Sequence, residues 1–364
     1  MSDSLIYFDN ACTTFYKPEE SIRRFKYSLS NFSHPFSGPS SISLKSLRVL
    51  DETRERVARF FNFEISKNIL FTYSCTSAIK EVLCNILEPN DHIIVTQMEH
   101  DSTVSILEDL KRTRNIEVSY LRIGHKGEFD AELLKGFFKE NTKIVFMNYA
   151  SSVNGTVIPV KNISDIVHSK SCLFALDASQ VAGVIPVDID ECGIDVLVTS
   201  CHKHLYSQAG LGMILYNDKI NFREGLVNIQ KTEMPNIHAV CALTGGIDYI
   251  ENKGIYNIHK YLKDISQFTV LKLKELEEIE VIHAGHSVPV ISMRFNGGNT
   301  REIASILDDE YNIICSAGMQ HSQSAHRNFG TFPEGTLRIS FSAMNNVDEV
   351  NKFIFALKKI LLNI

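Results

Sequence analysis

The sequence predicts an α/β protein with a large domain, built on a mainly parallel seven-stranded sheet, and a smaller C-terminal α+β domain. Three observations support this fold class. The chain has 364 residues, which is long enough for two domains. Residues 68–216 alternate short apolar runs with amphipathic helical patterns, as is typical of a parallel sheet covered on both faces. After about residue 244 this alternation stops.

Seven apolar runs are predicted to form the strands of the large sheet. Each run is short, rich in Ile and Val, and bounded by polar residues or Gly. Amphipathic segments between them, such as Thr76–Leu87 and Glu132–Lys139, are predicted helices. In sheets of this kind, ligands bind at the carboxyl ends of the strands. The predicted strands are Ile69–Thr72, His92–Thr96, Glu117–Leu121, Lys143–Asn148, Leu173–Asp177, Asp195–Thr199 and Gly212–Tyr216.

The C-terminal part is predicted to begin with a long helix over Gly245–Leu276, where apolar residues recur at helical spacing. We therefore place a domain boundary near residue 245, with a large domain over residues 16–245 and a small domain over residues 246–364. Residues 1–15 are expected to pack on the small domain. The other elements predicted in this part are strands near Val288–Phe295 and Thr336–Phe341 and helices near Thr300–Leu307 and Val347–Leu362.

The composition is that of an ordinary globular protein, with 44% apolar and 22% charged residues. A net charge of −6 gives no reason to expect a nucleic acid or an anionic membrane as a partner. The N-terminus has no basic segment followed by an apolar core, and no apolar run reaches the roughly 18 residues of a membrane span. A cytoplasmic location is therefore predicted. The eight cysteines include no C-x-x-C pair, so we expect reduced thiols and no metal site.

Two predicted strands end in residues whose side chains could serve catalysis or cofactor binding. One ends at Asp177, and Gln180 follows it. The other leads to Ser200, His202 and Lys203. A lysine at the end of a buried strand is partly desolvated, as a nucleophilic amine must be. Considered singly, Asp177 also fits a helix cap, and Lys203 also fits a solvated surface charge.

A third segment lies where the strand Ile69–Thr72 stops and small residues open a helix. The free backbone N–H groups there, with the hydroxyls of Thr76 and Ser77, suit a phosphate group. When the segment is considered alone, an ordinary helix N-cap is the favoured explanation of the same residues.

Together with further motifs, these segments make the sequence resemble the class V aminotransferase and cysteine desulfurase family closely. The resemblance runs from about residue 6 to residue 350, nearly the whole chain. Several ordered motifs at compatible spacing make it specific. They are Tyr7-Phe-Asp-Asn-Ala-Cys-Thr-Thr14, Met98-Glu-His100, Asp177-Ala-Ser-Gln180, Ser200-Cys-His-Lys203 and Arg338-Ile-Ser-Phe-Ser342.

The resemblance implies the fold type I of enzymes that use pyridoxal 5′-phosphate (PLP), and it assigns cofactor roles by position. Lys203 is expected to hold PLP as a Schiff base and to move protons as acid and base. Asp177 is expected to pair with the pyridine nitrogen, and His100 to stack on the ring face. Gln180 is expected to donate to the ring oxygen. Thr76, Ser200 and His202 are the expected phosphate contacts, and Cys75 is a further expected cofactor contact.

The resemblance also implies how the substrate, a small amino acid, is bound. Arg338 is expected to grip its carboxylate as a bidentate partner. Asn10, Ala11 and Ser152 are further expected substrate contacts, and His321 is a catalytic candidate beside Lys203 and His100. Relatives work as homodimers with sites at the subunit interface, so a homodimer is expected here.

The sequence departs from the family pattern at positions that serve the substrate. Desulfurases of the family carry a nucleophilic Cys on a loop before the C-terminal segment, where it becomes a persulfide. Anchors at Gly318 and at Ala325-His326 place His321 at this position. An imidazole cannot form a persulfide. The other departures are Ser316 for Arg, Ser152 for Asn, Met234 for Thr and Ser40 for His.

The sequence therefore predicts a lyase that breaks the C–S bond of a cysteine-derived amino acid by β-elimination. An aminotransferase, or another reaction that begins with loss of the α-proton, is the first alternative. A cysteine desulfurase that uses Cys12 or Cys315 is the second, and a non-catalytic scaffold is the third. Three roles are open for His321: protonating a leaving group, binding an acidic substrate group, or standing solvated on its loop.

Overall fold

The computed structural model describes residues 5–124, 127–220, 222, 235–282, 287–296 and 299–362. Helices and strands alternate in most of this chain. The strands are β1 Ile6–Tyr7, β2 Ile69–Thr72, β3 His92–Thr96, β4 Glu117–Leu121, β5 Thr142–Asn148, β6 Leu173–Asp177, β7 Val196–Ser200, β8 Gly212–Tyr216, β9 Ile279–Ile282, β10 Val290–Phe295, β11 Ile313–Ile314, β12 Ser316–Gly318 and β13 Thr336–Ser340. The α-helices are α1 Glu19–Ser28, α2 Ser41–Phe60, α3 Cys75–Ile86, α4 Asp101–Arg114, α5 Val160–Ser169, α6 Ile189–Cys192, α7 Ile237–Lys253, α8 Ile255–Leu273, α9 Thr300–Tyr311, α10 Gln323–Asn328 and α11 Val347–Leu361.

The larger sheet contains all seven predicted strands, so the predicted fold class is confirmed. Its order is β2-β8-β7-β6-β5-β3-β4, and of these strands only β8 runs antiparallel to its neighbours. Five of the strands have the predicted bounds, while β5 begins one residue earlier and β7 lies one residue later. Buried apolar side chains form a core on each face of the sheet, as a mainly parallel sheet requires.

A second, antiparallel sheet in the C-terminal part has the order β12-β13-β10-β9. The sequence pattern predicts β10 and β13. It does not predict β12, which consists of Ser, Ala and Gly, or β9, which has only four residues. The N-terminal segment lies against this part of the chain, because β1 pairs in parallel with β11 and Asp9 bridges to Ser340.

The prediction of one long helix over Gly245–Leu276 is wrong. The structure has two helices there, α7 and α8, which meet at Gly254. Gly254 has a φ of +78°, a backbone conformation that ends a helix and that glycine adopts without steric cost. The segment Glu132–Lys139, predicted as an amphipathic helix, also differs from the prediction. Residues Ala131–Phe137 form a 3-10 helix there.

Helix α7 spans the position at which the domain boundary is predicted. At Gly245, in the middle of α7, a Cβ atom would lie 2.4 Å from the carbonyl oxygen of Glu20. The absence of a side chain therefore lets α7 pack closely against α1. The boundary near residue 245 stays a prediction. Among the described helices, none combines the length and apolar character needed to cross a membrane.

Candidate active site

A cavity of about 600 Å³ lies where the carboxyl ends of β6 and β7 face the small sheet. All of the predicted site residues except Asn10 line this cavity. Nine lining residues had no predicted role, and among them are Asp9, Asp101 and Ser179. Each of these three is a neighbour of a predicted residue inside a family motif, and this adjacency is the signal that identifies them.

Lys203 follows β7 and is half-buried in the cavity wall. Burial lowers the pKa of Lys203, and the nearby carboxylate of Asp177 partly opposes this shift. The N-terminal segment holds the backbone around it. The Thr14 hydroxyl donates to the Lys203 carbonyl at 2.9 Å, and the Lys17 amine donates to the His202 carbonyl at 2.7 Å. Lys203 thus has a backbone held by the N-terminal segment and an amine whose neutral form is favoured by burial.

Asp177 is the last residue of β6 and is 9% exposed. Its Oδ1 accepts from the backbone N–H of Ser179 at 2.8 Å and lies 3.7 Å from the Cys75 thiol. Burial, followed by the charge of Asp177, raises the pKa of Cys75 well above its ordinary value. Cys75 is therefore a neutral thiol beside a carboxylate that points into the cavity.

The start of α3 forms an anion-binding corner of the cavity. Ser74 caps α3 by accepting from the backbone N–H of Ser77 at 3.1 Å, and Thr76 stands in the first turn. The first N–H groups of a helix have no partner within the helix, which favours an anion there. A Cβ atom at Gly212 would lie 2.6 Å from the Cys75 backbone nitrogen, so glycine lets β8 pass close to this corner.

Ser200 and His202 complete this corner. The Ser200 hydroxyl oxygen is buried and has no hydrogen-bond partner in the described part of the chain. The Nδ1 atom of His202 lies 2.9 Å from the Thr13 hydroxyl. Burial and the neighbouring lysines lower the pKa of His202 to about 4, so its ring is neutral at neutral pH.

His100 precedes α4 and acts as its N-cap. Its Nδ1 accepts from the backbone N–H of Ser102 at 3.1 Å, which places the ring proton on Nε2. Burial, followed by the charge of Lys203, lowers the pKa of His100. The preceding Glu99 is fully buried, and burial raises its pKa to about 8. A neutral imidazole therefore lies on the cavity wall above a neutral carboxyl group.

His321 also lines the cavity and lies in the turn between β12 and α10. Its ring centroid is 5.8 Å from that of His100. The turn is joined to α4, because the His321 carbonyl accepts from the backbone N–H of Asp101 at 2.7 Å. In return, Asp101 Oδ1 accepts from the backbone N–H of Gln323 at 3.1 Å. The structure thus places the rings of His321 and His100 close together in the cavity lining, and their catalytic roles stay predictions.

Arg338 is buried in the cavity wall on β13 and already has protein partners. Its Nη2 lies 2.6 Å from Asp9 Oδ1, and its Nη1 donates to the Ser152 carbonyl at 3.0 Å. Its Nε is buried without a partner in the described residues. The guanidinium has five N–H groups, and these two contacts use one at each terminal nitrogen, so its expected bidentate contact with a substrate carboxylate stays a prediction.

The expected substrate contact of Asn10 is wrong for its side chain. Asn10 is buried outside the cavity, where its amide donates to the Ser340 carbonyl at 2.8 Å and to Asn345 at 3.1 Å. Its neighbour Ala11 does line the cavity, and the Ala11 carbonyl accepts from the Gln180 amide at 3.0 Å.

The two cysteines considered as replacement nucleophiles differ in position. Cys12 is exposed and lines the cavity. Cys315 is not among the lining residues, and burial raises its pKa to about 12. Of the other departures from the family pattern, Ser40 lies away from the cavity as the N-cap of α2. Met234 lies outside the described residues.

The fold and the site define a PLP-dependent enzyme of fold type I. A family model described as Aminotransferase class-V matches residues 6–353. The chain therefore belongs to the class V aminotransferase family.

Similar proteins support this assignment. The "Probable cysteine desulfurase" of Borreliella burgdorferi is 28% identical to this chain, over 98% of this chain and 92% of that protein. The protein of the same name from Vibrio cholerae is 25% identical, over 98% and 93%. The apo structure of a cysteine desulfurase from Thermococcus onnurineus has the same fold, with a TM-score of 0.90 at 22% identity over 99% of this chain and 95% of that chain.

Proposed function

We propose that this protein binds PLP and uses it to break the C–S bond of a cysteine-derived amino acid by β-elimination. The observation that carries the proposal is that Lys203, Asp177 and the imidazole of His321 line the same cavity. The residues that suit a cofactor lie together, and the turn that carries His321 has no thiol.

The residues at the sheet end of the cavity fit PLP. The unpartnered Ser200 hydroxyl and the first turn of α3 at Thr76 suit its phosphate. Asp177 suits a protonated pyridine nitrogen, because the carboxylate favours a positive charge beside it. Lys203 supplies an amine whose burial favours the neutral form that condensation with an aldehyde requires.

When bound, PLP withdraws electrons from the α-carbon of an amino acid and so makes the α-proton acidic. Lys203 is the base that takes this proton, because its amine lines the cavity and its pKa is lowered. The Arg338 guanidinium lines the cavity and holds the substrate carboxylate through N–H groups that its contacts with Asp9 and Ser152 do not use. His100 covers the site from the side of α4, with its Nε2–H free to donate.

Product analysis tests this proposal. The PLP-loaded protein is mixed with L-cysteine, and then with S-substituted L-cysteines and their sulfoxides. β-Elimination gives pyruvate and ammonium in equal amounts. Alanine with sulfide would overturn the proposal in favour of desulfuration, and conversion of the cofactor to its amine form without pyruvate would favour an aminotransferase. A protein that shows no spectral response to any amino acid would instead be a scaffold.

The Lys203→Ala variant is the control for this experiment. Loss of the base is expected to lower pyruvate formation by about 1,000-fold. Pyruvate formation that survives this change would come from a contaminating enzyme or from cofactor free in solution.

A second candidate, cysteine desulfuration through Cys12, is favoured by one observation. Cys12 is an exposed thiol on the cavity wall, and similar proteins bear the name cysteine desulfurase. In that reaction the Cys12 thiolate attacks the substrate sulfur, becomes a persulfide, and leaves alanine. With dithiothreitol as the reductant, the Cys12→Ser variant would then lose sulfide release from L-cysteine. Under the β-elimination proposal, the variant keeps its pyruvate formation.

We also propose that the protein is a homodimer, as its family resemblance implies. Exposed apolar side chains lie at the end of α1 and the start of α2, namely Tyr27, Leu29, Ile42 and Leu44. The two helix ends are neighbours, since the Lys45 amine donates to the Tyr27 hydroxyl at 2.9 Å. Light scattering on the eluting protein gives the mass directly, and a mass near the 41.1 kDa of one chain would contradict the dimer.

A further inference from the structure

The turn that carries His321 has an unusual backbone. Gln320 and His321 both have positive φ values, +41° and +54°. Two successive left-handed residues that are not glycine are sterically unfavourable, so the surrounding contacts must hold them. The turn thus directs the His321 side chain into the cavity instead of leaving it on a free loop.

Buried polar contacts fix this turn from below. The Gln320 amide donates to the Thr336 carbonyl at 2.8 Å, and its Oε1 lies 2.8 Å from Nε2 of His326. The hydroxyl of Ser322 lies 3.2 Å from that of Ser152 on the other side of the turn. These side chains are all buried. Together with the bond from Asp101 to the His321 carbonyl, they hold the turn at both ends.

His321 differs from the other cationic or proton-carrying groups of the cavity in the availability of its ring nitrogens to a substrate. Neither of its ring nitrogens has a hydrogen-bond partner within the residues that the structure describes, and the side chain is exposed to the cavity. By contrast, His100 and His202 each use Nδ1 for a protein contact. Arg338 cannot release a proton at ordinary pH.

We propose that His321 is the general acid that protonates the sulfur as it leaves in the β-elimination, an inference that rests on the proposed function. An imidazole ring can carry a proton and donate it, and a basic alkyl thiolate needs a proton in order to depart. The substrates of this site are then cysteines with S-alkyl groups, whose thiolates are poor leaving groups. His100 is held in place as a helix cap, whereas the exposed ring of His321 lines the cavity and can contact the leaving group.

The reaction balances with water as the only added reactant. Lys203 takes the α-proton, the Cα–H electron pair forms the Cα–Cβ double bond, and the Cβ–S pair leaves with the sulfur. The sulfur receives the His321 proton and departs as a thiol. Water then converts the released 2-aminoacrylate to pyruvate and ammonium. No oxidant or reductant takes part.

The leaving group decides whether an acid is needed, and this provides the test. The holoenzyme is assayed with S-methyl-L-cysteine, whose methanethiolate needs a proton, and with β-chloro-L-alanine, whose chloride does not. The variant His321→Asn keeps the turn, because Asn tolerates the left-handed conformation. His259→Asn, a half-buried histidine of α8 away from the cavity, is the matched control. Bound-cofactor absorbance shows that each variant retains the site.

For His321→Asn, we expect kcat/KM to fall by about 100-fold with S-methyl-L-cysteine and to change less than threefold with β-chloro-L-alanine. The control should change neither value. Equal losses with both substrates would show that His321 serves binding or structure, and no loss with either would assign the proton to Lys203 or water. Either result overturns the inference but leaves the proposed function standing. A wild-type protein that forms no pyruvate from S-methyl-L-cysteine overturns the proposed function and this inference together.

Discussion

At the scale of single residues, the ion pair of Asp9 and Arg338 joins the N-terminal segment to β13. The two side chains are 18% and 4% exposed, and Asp9 is the only carboxylate that the described residues bring within 4.0 Å of this guanidinium. The Asp9→Asn variant leaves a buried cation with a weaker partner. We therefore expect its free energy of unfolding to fall by about 2 kcal/mol.

Urea unfolding measures this change. The control is Asp165→Asn, which breaks an exposed pair with Lys161 on α5 and should cost less than about 0.5 kcal/mol. Equal costs for the two variants would mean that burial of the Asp9 pair adds nothing to its strength.

Lys17 gives a pH dependence that can be derived from its position. It is half-buried against the His202 carbonyl, and burial lowers its pKa from 10.5 to about 7. Between these two values the unfolded chain binds a proton at Lys17 that the folded chain does not, so its contribution to stability increases with pH. Relative to Lys17→Met, the wild-type protein should therefore gain stability as the pH rises from 7 to 10.

Denaturant titrations at several pH values measure this difference. The exposed Lys253→Met variant is the matched control for the removal of one lysine charge. A constant difference for Lys17→Met would mean that this amine titrates in the folded protein as it does in water.

The sequence predicts the residues of the site better than it predicts their contacts. Motif order and strand ends are enough to bring Lys203, Asp177 and His321 into one cavity. Motif order and strand ends cannot predict the Asp9–Arg338 pair, because its residues are 329 positions apart. They are brought together only when the segment after β1 packs beside β13. The direction of the Asn10 side chain depends in the same way on the partner that β13 offers it.

At the scale of elements, Gly254 determines where α7 ends and α8 begins. Its φ of +78° is unfavourable for any residue with a Cβ atom. We expect Gly254→Ala to lower the free energy of unfolding by about 1 kcal/mol. The control is Gly136→Ala, at a glycine where the space is open and φ is not positive. A destabilisation no greater than that of the control, measured by thermal unfolding, would contradict this role.

The same helix pair shows the limit of periodicity. Apolar residues continue at helical spacing on both sides of Gly254, so the pattern predicts one helix although the backbone breaks. Periodicity succeeds for the parallel strands, because residues buried on both faces form continuous apolar runs. It fails for β12, whose three small residues are in a strand only because β13 pairs with them.

At the scale of the whole molecule, the cavity joins three parts of the chain that are distant in sequence. The N-terminal segment contributes Ala11, the large sheet contributes Lys203, and the small sheet contributes Arg338. A ligand that contacts several of these parts binds the folded protein and not the unfolded chain, so it stabilises the fold by mass action.

PLP is therefore expected to raise the melting temperature of the apoprotein, and its phosphate should account for much of the effect. At a concentration about 100 times its Kd, a ligand adds about 2.7 kcal/mol. For a chain of this length the melting temperature should then rise by about 3 °C.

Pyridoxal, which lacks the phosphate, should give a smaller rise at the same concentration. Ser200→Ala should reduce the rise with PLP but not with pyridoxal, because the Ser200 hydroxyl is unpartnered until a phosphate reaches it. Equal rises with the two ligands in the wild-type protein would contradict a phosphate site at the start of α3. The cofactor would then have to bind in the cavity in another orientation.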